Sequence, residues 1–186
     1  MQTRITQIIS QNVEVMTALL SNQETLQNIR EVADKIIKSF VCNDGKLYLM
    51  GNGGSAADAL HIVAEFIDYP CEALTANSCL ITALANDFCY ANIFAKQIKA
   101  KVMPGDVVIG ISTSGESNNV IQGLLQAREL TTWTVLLTGV NNTNPLFSSF
   151  DYVINVPSTC TPRIQEAHIL IGHIIYQLVK EGMEKI

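Results

Sequence analysis

Apolar residues recur at every third or fourth position over the first forty residues of the chain. They form two series, one on either side of Ser21: Ile5, Ile8, Ile9, Val13, Met16, Leu19 and Leu20, then Leu26, Ile29, Val32, Ile36 and Ile37. This spacing places apolar side chains on one face of a helix, so it predicts two amphipathic helices. An apolar helical face needs cover, and a second copy of the chain is one way to provide it. We treat residues 1–44 as a helical arm that belongs to the same domain as residues 45–186.

From residue 46 onward, short apolar runs alternate with helical patterns. The runs that predict strands cover residues 46–50, 106–111, 133–138 and 152–156, with a weaker one at 72–76. Helical spacing covers residues 55–66, 78–85, 93–102, 118–129 and 161–185. Continuous apolar runs are typical of strands buried on both faces, and strands that alternate with helices pair in parallel. The predicted fold is a three-layer α/β/α sandwich, flavodoxin-like, with a parallel and mostly five-stranded sheet.

Local signals set the boundaries of several predicted elements. Asn86 and Asp87 interrupt the helical pattern that begins at residue 78. Thr161 is expected to cap the last helix, with Pro162 at its first helical position. The segment at 139–144 is expected to be a loop after the third long apolar run.

A glycine-rich turn follows the first predicted strand. It reads Gly51-Asn52-Gly53-Gly54-Ser55, and helical spacing begins at Ser55. Glycines let the backbone come close to a ligand, and the first amides of a helix attract an anion. The pattern of strand, turn and helix therefore predicts a phosphate site at residues 52–55. The alternative is an ordinary capping box formed by Ser55 and Asp58.

A second polar loop follows the apolar run at 106–111. It contains four hydroxyl side chains, those of Ser112, Thr113, Ser114 and Ser117. Ligands of open parallel sheets bind beyond the carboxyl ends of the strands, so this loop and the glycine turn are expected at one edge of the sheet. Hydroxyl and amide donors at a helix start can bind a phosphate without a lysine. A plain polar turn with Ser117 as the helix cap is the alternative.

Groups that bind metals or transfer protons lie on two of the predicted helices. His61 and Glu65 are four residues apart and share a helical face, and Gln165 and His173 lie close to one face of the last helix. His168 points about 60° away from Gln165. Histidine, glutamate and glutamine supply nitrogen and oxygen ligands that suit zinc or a similar divalent ion. Each residue taken singly is more often structural, and the sequence does not show that the two helices meet.

Composition restricts the range of functions. A net charge of −5, a pI near 5.1 and the lack of a basic block argue against a nucleic-acid surface. The N-terminus lacks the layout of a signal peptide, and no apolar run is long enough for a membrane span. We therefore expect a cytoplasmic protein that binds a small molecule. The five cysteines include no CxxC pair and are expected to be small core residues rather than disulfides or zinc ligands.

Five motifs follow one another along the chain. They are Gly51-Asn-Gly-Gly-Ser-Ala-Ala-Asp-Ala, the His61/Glu65 pair, Asn86-Asp87, Gly110-Ile-Ser-Thr-Ser-Gly-Glu-Ser, and Arg163-Ile-Gln-Glu-Ala-His. In this order and spacing they resemble the SIS-domain (sugar isomerase) proteins, and within them the phosphoheptose isomerases, from about residue 46 to the end. The resemblance implies the SIS fold and an aldose-ketose isomerisation. The expected reaction converts sedoheptulose 7-phosphate to D-glycero-D-manno-heptose 7-phosphate, for the heptose of lipopolysaccharide cores.

The resemblance also implies roles for single residues. Glu65 would be the base that moves a proton between C1 and C2, and His173 the partner acid. The substrate contacts would be Asn52, Gly53, Gly54, Ser55, Glu65, Asn86, Asp87, Ser112, Thr113, Ser114, Ser117 and Gln165. One zinc ion per site would be held by His61, Glu65, Gln165 and His173. Members of the family are homotetramers with sites between subunits, which would give the helical arm a role.

The chain departs from this family at one place. Between Glu65 and Ala73 the family usually has a longer segment with a Gly-Arg-Phe/Tyr motif, whereas this chain has only Phe-Ile-Asp-Tyr-Pro-Cys-Glu. The arginine that would help to receive the substrate is missing, so a different phosphosugar stays open. Two other functions also stay open, a non-catalytic SIS adaptor of the replication initiator DnaA and a phosphosugar sensor without turnover. Retention of Glu65 and His173 favours the enzyme.

Overall fold

The computed structural model describes residues 3–140 and 144–186, and within them helices and strands alternate as predicted. The helices are α1 (Arg4–Ser21), α2 (Gln23–Cys42), α3 (Gly54–Glu65), α4 (Ser78–Asp87), α5 (Ile93–Lys101), α6 (Asn118–Glu129) and α7 (Thr161–Met183). The strands are β1 (Leu47–Gly51), β2 (Cys71–Ala73), β3 (Val107–Ser112), β4 (Trp133–Thr138) and β5 (Tyr152–Asn155). Short 3-10 helices cover Tyr90–Asn92 and Pro145–Ser149. The predicted loop at 139–144 lies partly outside the described residues.

The strands form one parallel sheet in the order β2-β1-β3-β4-β5. The predicted parallel five-stranded sheet is confirmed. The direction of the connections reverses between β1 and β3, and sheets of this kind bind ligands beyond the carboxyl ends of two such strands. Gly51 pairs with Ile111 in register, so the loops that follow β1 and β3 start side by side. We call this edge of the sheet the rim.

Alternate side chains of the central strands face two separate cores. Leu47 and Leu49 of β1 pack on the side of α2, α3 and α7, whereas Tyr48 and Met50 pack on the side of α5 and α6. All four are buried. Burial of a large apolar side chain contributes roughly 1.5–3 kcal/mol, so β1 is fixed from both faces. The rim residues that follow β1 therefore start from a rigid strand.

The first helix of the arm has one buried face and one uncovered face. Val15 and Leu19 of α1 join the core that contains α2 and α7. The uncovered apolar residues are Ile5, Ile9, Val13 and Leu20, with 71%, 58%, 56% and 69% of their surface exposed. The buried guanidinium of Arg163 on α7 donates a hydrogen bond to the carbonyl of Ile8 and holds α1 in place. The division of the chain at residue 44 stays a prediction.

Several predicted boundaries are wrong by a few residues. Asn86 and Asp87 do not interrupt a helix but are the last residues of α4, and the chain leaves the helix at the C-cap Phe88, with φ −122° and ψ −89°. Thr161 is the first residue of α7 rather than its cap, and Cys160 is the N-cap. The weak strand predicted at 72–76 is β2, which begins and ends earlier. These shifts involve polar or small residues at helix and strand ends, where local patterns are least specific.

The prediction that the cysteines are small core residues is wrong for four of the five, and Cys71 packs against the core. Cys42, Cys79, Cys89 and Cys160 are exposed, and Cys71 is half-buried. The four exposed cysteines lie at helix ends and turns, where the side chain has no core to face. All five are free thiols.

No helix formed by residues 3–140 and 144–186 combines the length and the apolar character needed to cross a membrane. The longest, α7, has 23 residues and carries charged side chains near both ends. The cytoplasmic location stays a prediction.

Candidate active site and metal cluster

The turn between β1 and α3 presents backbone amides at a helix start. Gly53 is the N-cap and has φ 54° and ψ −121°, a conformation that glycine adopts most readily. The first hydrogen bonds of α3 run from the amides of Ala56 and Ala57 to the carbonyl of Gly53. The amides of Gly54 and Ser55 precede these bonded turns, so they are placed to bind an anion. The alternative of a Ser55 capping box is wrong, because Ser55 lies inside the helix.

The loop between β3 and α6 ends in a second helix start. Ser117 is the N-cap of α6, as the alternative reading of this loop required, but its side chain makes no capping hydrogen bond. Its hydroxyl instead pairs with the buried Ser112 hydroxyl at 3.0 Å. Ser114 is exposed at the tip, and its Oγ accepts a hydrogen bond from the amide of Glu116 at 3.1 Å. The inner pair shapes the loop, and Thr113 and Ser114 form its outer part.

A pair of amide side chains joins the two rim loops. Asn52 and Asn119 exchange two hydrogen bonds, each 2.8 Å long. The hydroxyl of Tyr90 donates a third hydrogen bond to Oδ1 of Asn52, also at 2.8 Å. The sequence prediction omits Asn119 and Tyr90, because they are 67 and 38 residues away from Asn52 and no local pattern marks them.

His61, Glu65 and His173 come together where α3 meets α7. The Nε2 atoms of the two histidines are 2.9 Å apart, and Nε2 of His61 is 3.6 Å from Oε1 of Glu65. One ligand atom from each of the three lies within 4.8 Å of the others. Two imidazoles and one carboxylate are the donor set of many catalytic zinc sites, which keep a further position open, and also of some iron sites. These three residues, which we call the metal cluster, therefore fit a divalent ion.

Gln165, the fourth predicted zinc ligand, does not join this cluster within one chain. Its side chain packs against Gly54, where an added Cβ would lie 2.4 Å from Nε2 of Gln165. Gln165 precedes His173 by eight residues, which is about 12 Å along a helix. A shared helical face therefore does not bring Gln165 and His173 to one metal ion, because the rise of the helix separates the two side chains. Gln165 belongs to the rim.

Asn86 and Asp87 lie at the end of α4 and bond to each other. Nδ2 of Asn86 donates to Oδ1 of Asp87 at 3.0 Å, and both residues are exposed. No residue of α4 is buried, although the helix is largely apolar. Tyr90, three residues after Asp87, links this segment to the rim through Asn52.

The rim and the metal cluster lie towards opposite ends of α3. Glu65 follows Gly54 by eleven residues, which corresponds to about 16 Å along the helix axis. Within one chain, the predicted site residues other than Asn86 and Asp87 therefore form two groups. The first comprises residues 52–55, residues 112–117 and Gln165, and the second is the metal cluster.

His168 is a buried histidine that belongs to neither group. Its ring is fully buried on α7, and neither ring nitrogen makes a hydrogen bond of normal geometry to a described residue. Burial lowers the pKa of this imidazole from 6.5 to about 4, and the polar backbone of Thr138 opposes the shift in part. The ring is therefore neutral at neutral pH.

We expect His168→Leu to flatten the pH dependence of stability between pH 6.5 and 4. The unfolded chain binds a proton at this residue below pH 6.5, whereas the folded chain binds it only near pH 4. The wild-type protein should therefore lose about 3 kcal/mol through this residue as the pH falls across the window. Urea unfolding of both proteins at several pH values measures this loss. Parallel curves for the two proteins would contradict the buried neutral state.

Comparison with known proteins identifies the family. Residues 11–139 match the model of the SIS domain. A phosphoheptose isomerase from Aneurinibacillus thermoaerophilus is 44% identical over 183 residues, which cover 94% of this chain and 91% of the relative. The chain belongs to the phosphoheptose isomerase family. Phosphoheptose isomerase 2 of Campylobacter jejuni is 42% identical to this isomerase, with 92% and 89% of the two chains covered.

Solved structures of the family agree with this fold. The phosphoheptose isomerase from Neisseria gonorrhoeae superposes with a TM-score of 0.90 at 33% identity and covers 96% of this chain and 97% of its own. The enzyme from Francisella tularensis gives a TM-score of 0.88 at 28% identity, with 97% and 100% covered. The predicted SIS fold and the isomerase class are confirmed. The adaptor and sensor alternatives gain no support from these relatives.

The connection between α3 and β2 is short in this isomerase. It spans residues 66–70 and contains no cationic side chain. Phe66 is buried, and the ring of Tyr69 stacks on Phe40 of α2 with centroids 5.6 Å apart. The connection is therefore packed against the protein and supplies no positive charge.

Proposed function

We propose that this isomerase interconverts sedoheptulose 7-phosphate and D-glycero-D-manno-heptose 7-phosphate, for the heptose of lipopolysaccharide cores. The single observation that carries the chemistry is the metal cluster, in which a carboxylate and two imidazoles lie within 4.8 Å of one another. The substrate is taken from relatives named phosphoheptose isomerase at 42% and 44% identity. The family expectation and the local geometry thus agree on one type of reaction.

Aldose-ketose isomerisation through an enediol needs a base and an acid. The base takes a proton from one carbon and returns it to the next, while the acid protonates the oxygen that gains negative charge. In our proposal Glu65 is the base and His173 is the acid. A carboxylate has two oxygens and an imidazole has two nitrogens, so Glu65 and His173 can each hold a metal with one atom and exchange a proton through the other.

We include one zinc ion per site in the proposal. Ligand atoms around tetrahedral zinc lie about 3.3 Å apart. The separations of 2.9 Å and 3.6 Å within the metal cluster are close to this value. When bound, the ion would stabilise the oxyanion of the enediol. The remaining position would go to water, to substrate or to Gln165 from a second copy.

Length favours a site built between subunits. A seven-carbon sugar phosphate spans roughly 10 Å when extended, since eight single bonds of about 1.5 Å separate C1 from phosphorus. Within one chain the rim and Glu65 are about 16 Å apart along α3, so a site within one chain would require a fully extended substrate. We therefore propose a homotetramer in which the rim of one subunit faces the metal cluster of another. The uncovered apolar residues of α1 and the unburied helix α4 support such contacts.

Phosphate recognition in this proposal depends on neutral donors. No Lys or Arg occurs in residues 47–95, 102–127 or 129–162, which include both rim loops. The donors are the amides at the starts of α3 and α6 and the hydroxyls of residues 112–117. Asn86 and Asp87 are proposed to contact the sugar.

We expect Ser114→Ala to raise the Michaelis constant for the phosphosugar about ten- to a hundredfold. A hydrogen bond to a charged group contributes about 1.5–3 kcal/mol, which corresponds to one or two powers of ten in binding. Steady-state kinetics and calorimetry measure the change. Ser21→Ala, an exposed serine at the end of α1, is the matched control. If Ser114→Ala and Ser117→Ala both bind substrate like wild type, the phosphate lies elsewhere.

Product identification tests the proposed reaction. The purified protein is incubated with sedoheptulose 7-phosphate and with a panel of shorter ketose phosphates, and products are identified by NMR. Conversion of the heptulose phosphate to the aldose is the expected result. Turnover of a shorter sugar alone would assign another phosphosugar and would point to the short 66–70 connection. Lack of any turnover by the metal-loaded protein would contradict the isomerase proposal.

A further inference from the structure

We propose that Asn119 and Tyr90 are positioning residues of the substrate site, and that the Asn52 side chain joins the parts of that site instead of binding substrate. This inference rests on the proposed function, because it concerns how the rim is held for a phosphosugar. It differs from the family expectation, in which residue 52 is a substrate contact.

The orientation of the Asn119 amide is fixed by its own helix. Asn119 is 3% exposed, and its Oδ1 accepts a hydrogen bond from the amide of Val120 at 3.0 Å. The oxygen therefore faces the start of α6, and it also accepts from Nδ2 of Asn52. Nδ2 of Asn119 is left to donate to Oδ1 of Asn52. A rotated amide would break all three bonds at a buried site.

The Asn52 side chain has little capacity left for a ligand. An amide oxygen accepts two hydrogen bonds and an amide nitrogen donates two. Oδ1 of Asn52 already accepts from Asn119 and from Tyr90, and Nδ2 already donates once to Asn119. One N–H remains, so residue 52 can serve substrate mainly through its backbone.

The link matters because three separate segments meet at Asn52. They are the glycine turn itself, the start of α6 after the hydroxyl loop, and the 3-10 helix that follows Asn86 and Asp87. On the α4 and α5 side, the turn borders an open cleft of about 140 Å³, so close packing does not support it there. The hydrogen bonds with Asn119 hold the turn against the second loop, and the hydrogen bond from Tyr90 joins the 3-10 helix to the turn. The neutral donors of both loops must stay aligned, since neither loop contains a Lys or Arg that could compensate for a shifted amide.

A double-mutant cycle tests this role. We expect Asn52→Ala and Asn119→Ala each to raise the KM for the phosphosugar, and the Kd for inorganic phosphate, about tenfold, because each removes both hydrogen bonds of the amide pair. The kcat should change by less than about threefold, since neither residue touches the reacting carbons. The KM and Kd of the double variant should be no higher than those of the more impaired single variant, because both substitutions break the same pair of hydrogen bonds. Tyr90→Phe should give a smaller rise of about threefold, since it removes a single hydroxyl.

Two results would overturn the inference. If Asn52→Ala costs far more than Asn119→Ala and the effects add, Asn52 binds substrate directly. If the variants melt earlier but keep the wild-type KM and phosphate affinity, the pair only stabilises the fold. Gln122→Ala, an exposed amide side chain one turn later in α6, is the matched control. If Asn119→Ala fails to fold, Asn52→Ala and Tyr90→Phe still decide the matter.

The phosphate measurement keeps this inference separate from the proposed reaction. Calorimetry with inorganic phosphate requires no turnover. A wild-type protein that binds phosphate but does not convert sedoheptulose 7-phosphate would refute the reaction, and the comparison of variants would still be valid.

Discussion

Glu65→Gln and His173→Gln should each lower kcat by at least about a hundredfold, because a positioned acid or base contributes 10²–10⁴-fold to proton transfer. Glutamine keeps the size and the hydrogen-bonding oxygen of Glu65 but cannot accept the carbon-bound proton. Glutamine in place of His173 removes the imidazole and changes the shape of the side chain little. Both residues are partly exposed, so the fold should persist. Steady-state kinetics with sedoheptulose 7-phosphate measures the loss.

The control for these variants is a carboxylate on the same pair of helices but outside the cluster. Glu181→Gln changes an exposed glutamate near the end of α7 and should keep wild-type kinetics. Circular dichroism of all three variants checks the fold. Full activity in Glu65→Gln or in His173→Gln would refute the assignment of base and acid.

His61→Ala should lower the zinc retained after dialysis by at least tenfold. Loss of an outer-shell partner of a ligand already costs about 10–100-fold in metal affinity, and loss of a ligand itself should cost no less. Elemental mass spectrometry of dialysed protein gives the metal content directly, without reference to activity. His168→Leu removes the buried histidine of α7 that lies outside the metal cluster, so its zinc content should equal that of wild type. Equal zinc in His61→Ala and wild type would make the cluster a set of hydrogen bonds only.

The periodic parts of the fold could be predicted from the sequence because local spacing determines them. The apolar run at 106–111 is buried on both faces of the sheet as β3, and the three-and-four spacing at 118–129 is the helix α6. The rim followed from the same reasoning, since parallel strands carry their following loops to one edge. The elements that local spacing determines were therefore predicted well from the sequence.

Contacts between distant residues could not be predicted in this way. Asn52 and Asn119 meet because β1 and β3 are neighbours in register, and this neighbour relation is a property of the whole sheet. The burial of His168 depends on how α7 lies on β4, which the pattern of α7 alone does not show. The separation of Gln165 from His173 was available from the helix rise, but residue spacing on a helical wheel hides it.

The lack of Lys and Arg in the two rim loops would also affect how a substrate reaches the proposed site. The protein has a net charge of −5, so a phosphate dianion is repelled at distances where individual donors do not yet act. The attraction of a helix start falls off within its first turn, and it therefore acts only at the end of the approach. We therefore expect encounter to be slowed rather than steered, and we expect salt, which screens the repulsion between like charges, to increase the association rate. In the proposed site, discrimination between anions would then occur at contact, where only a molecule of the right shape gains all the rim donors at once.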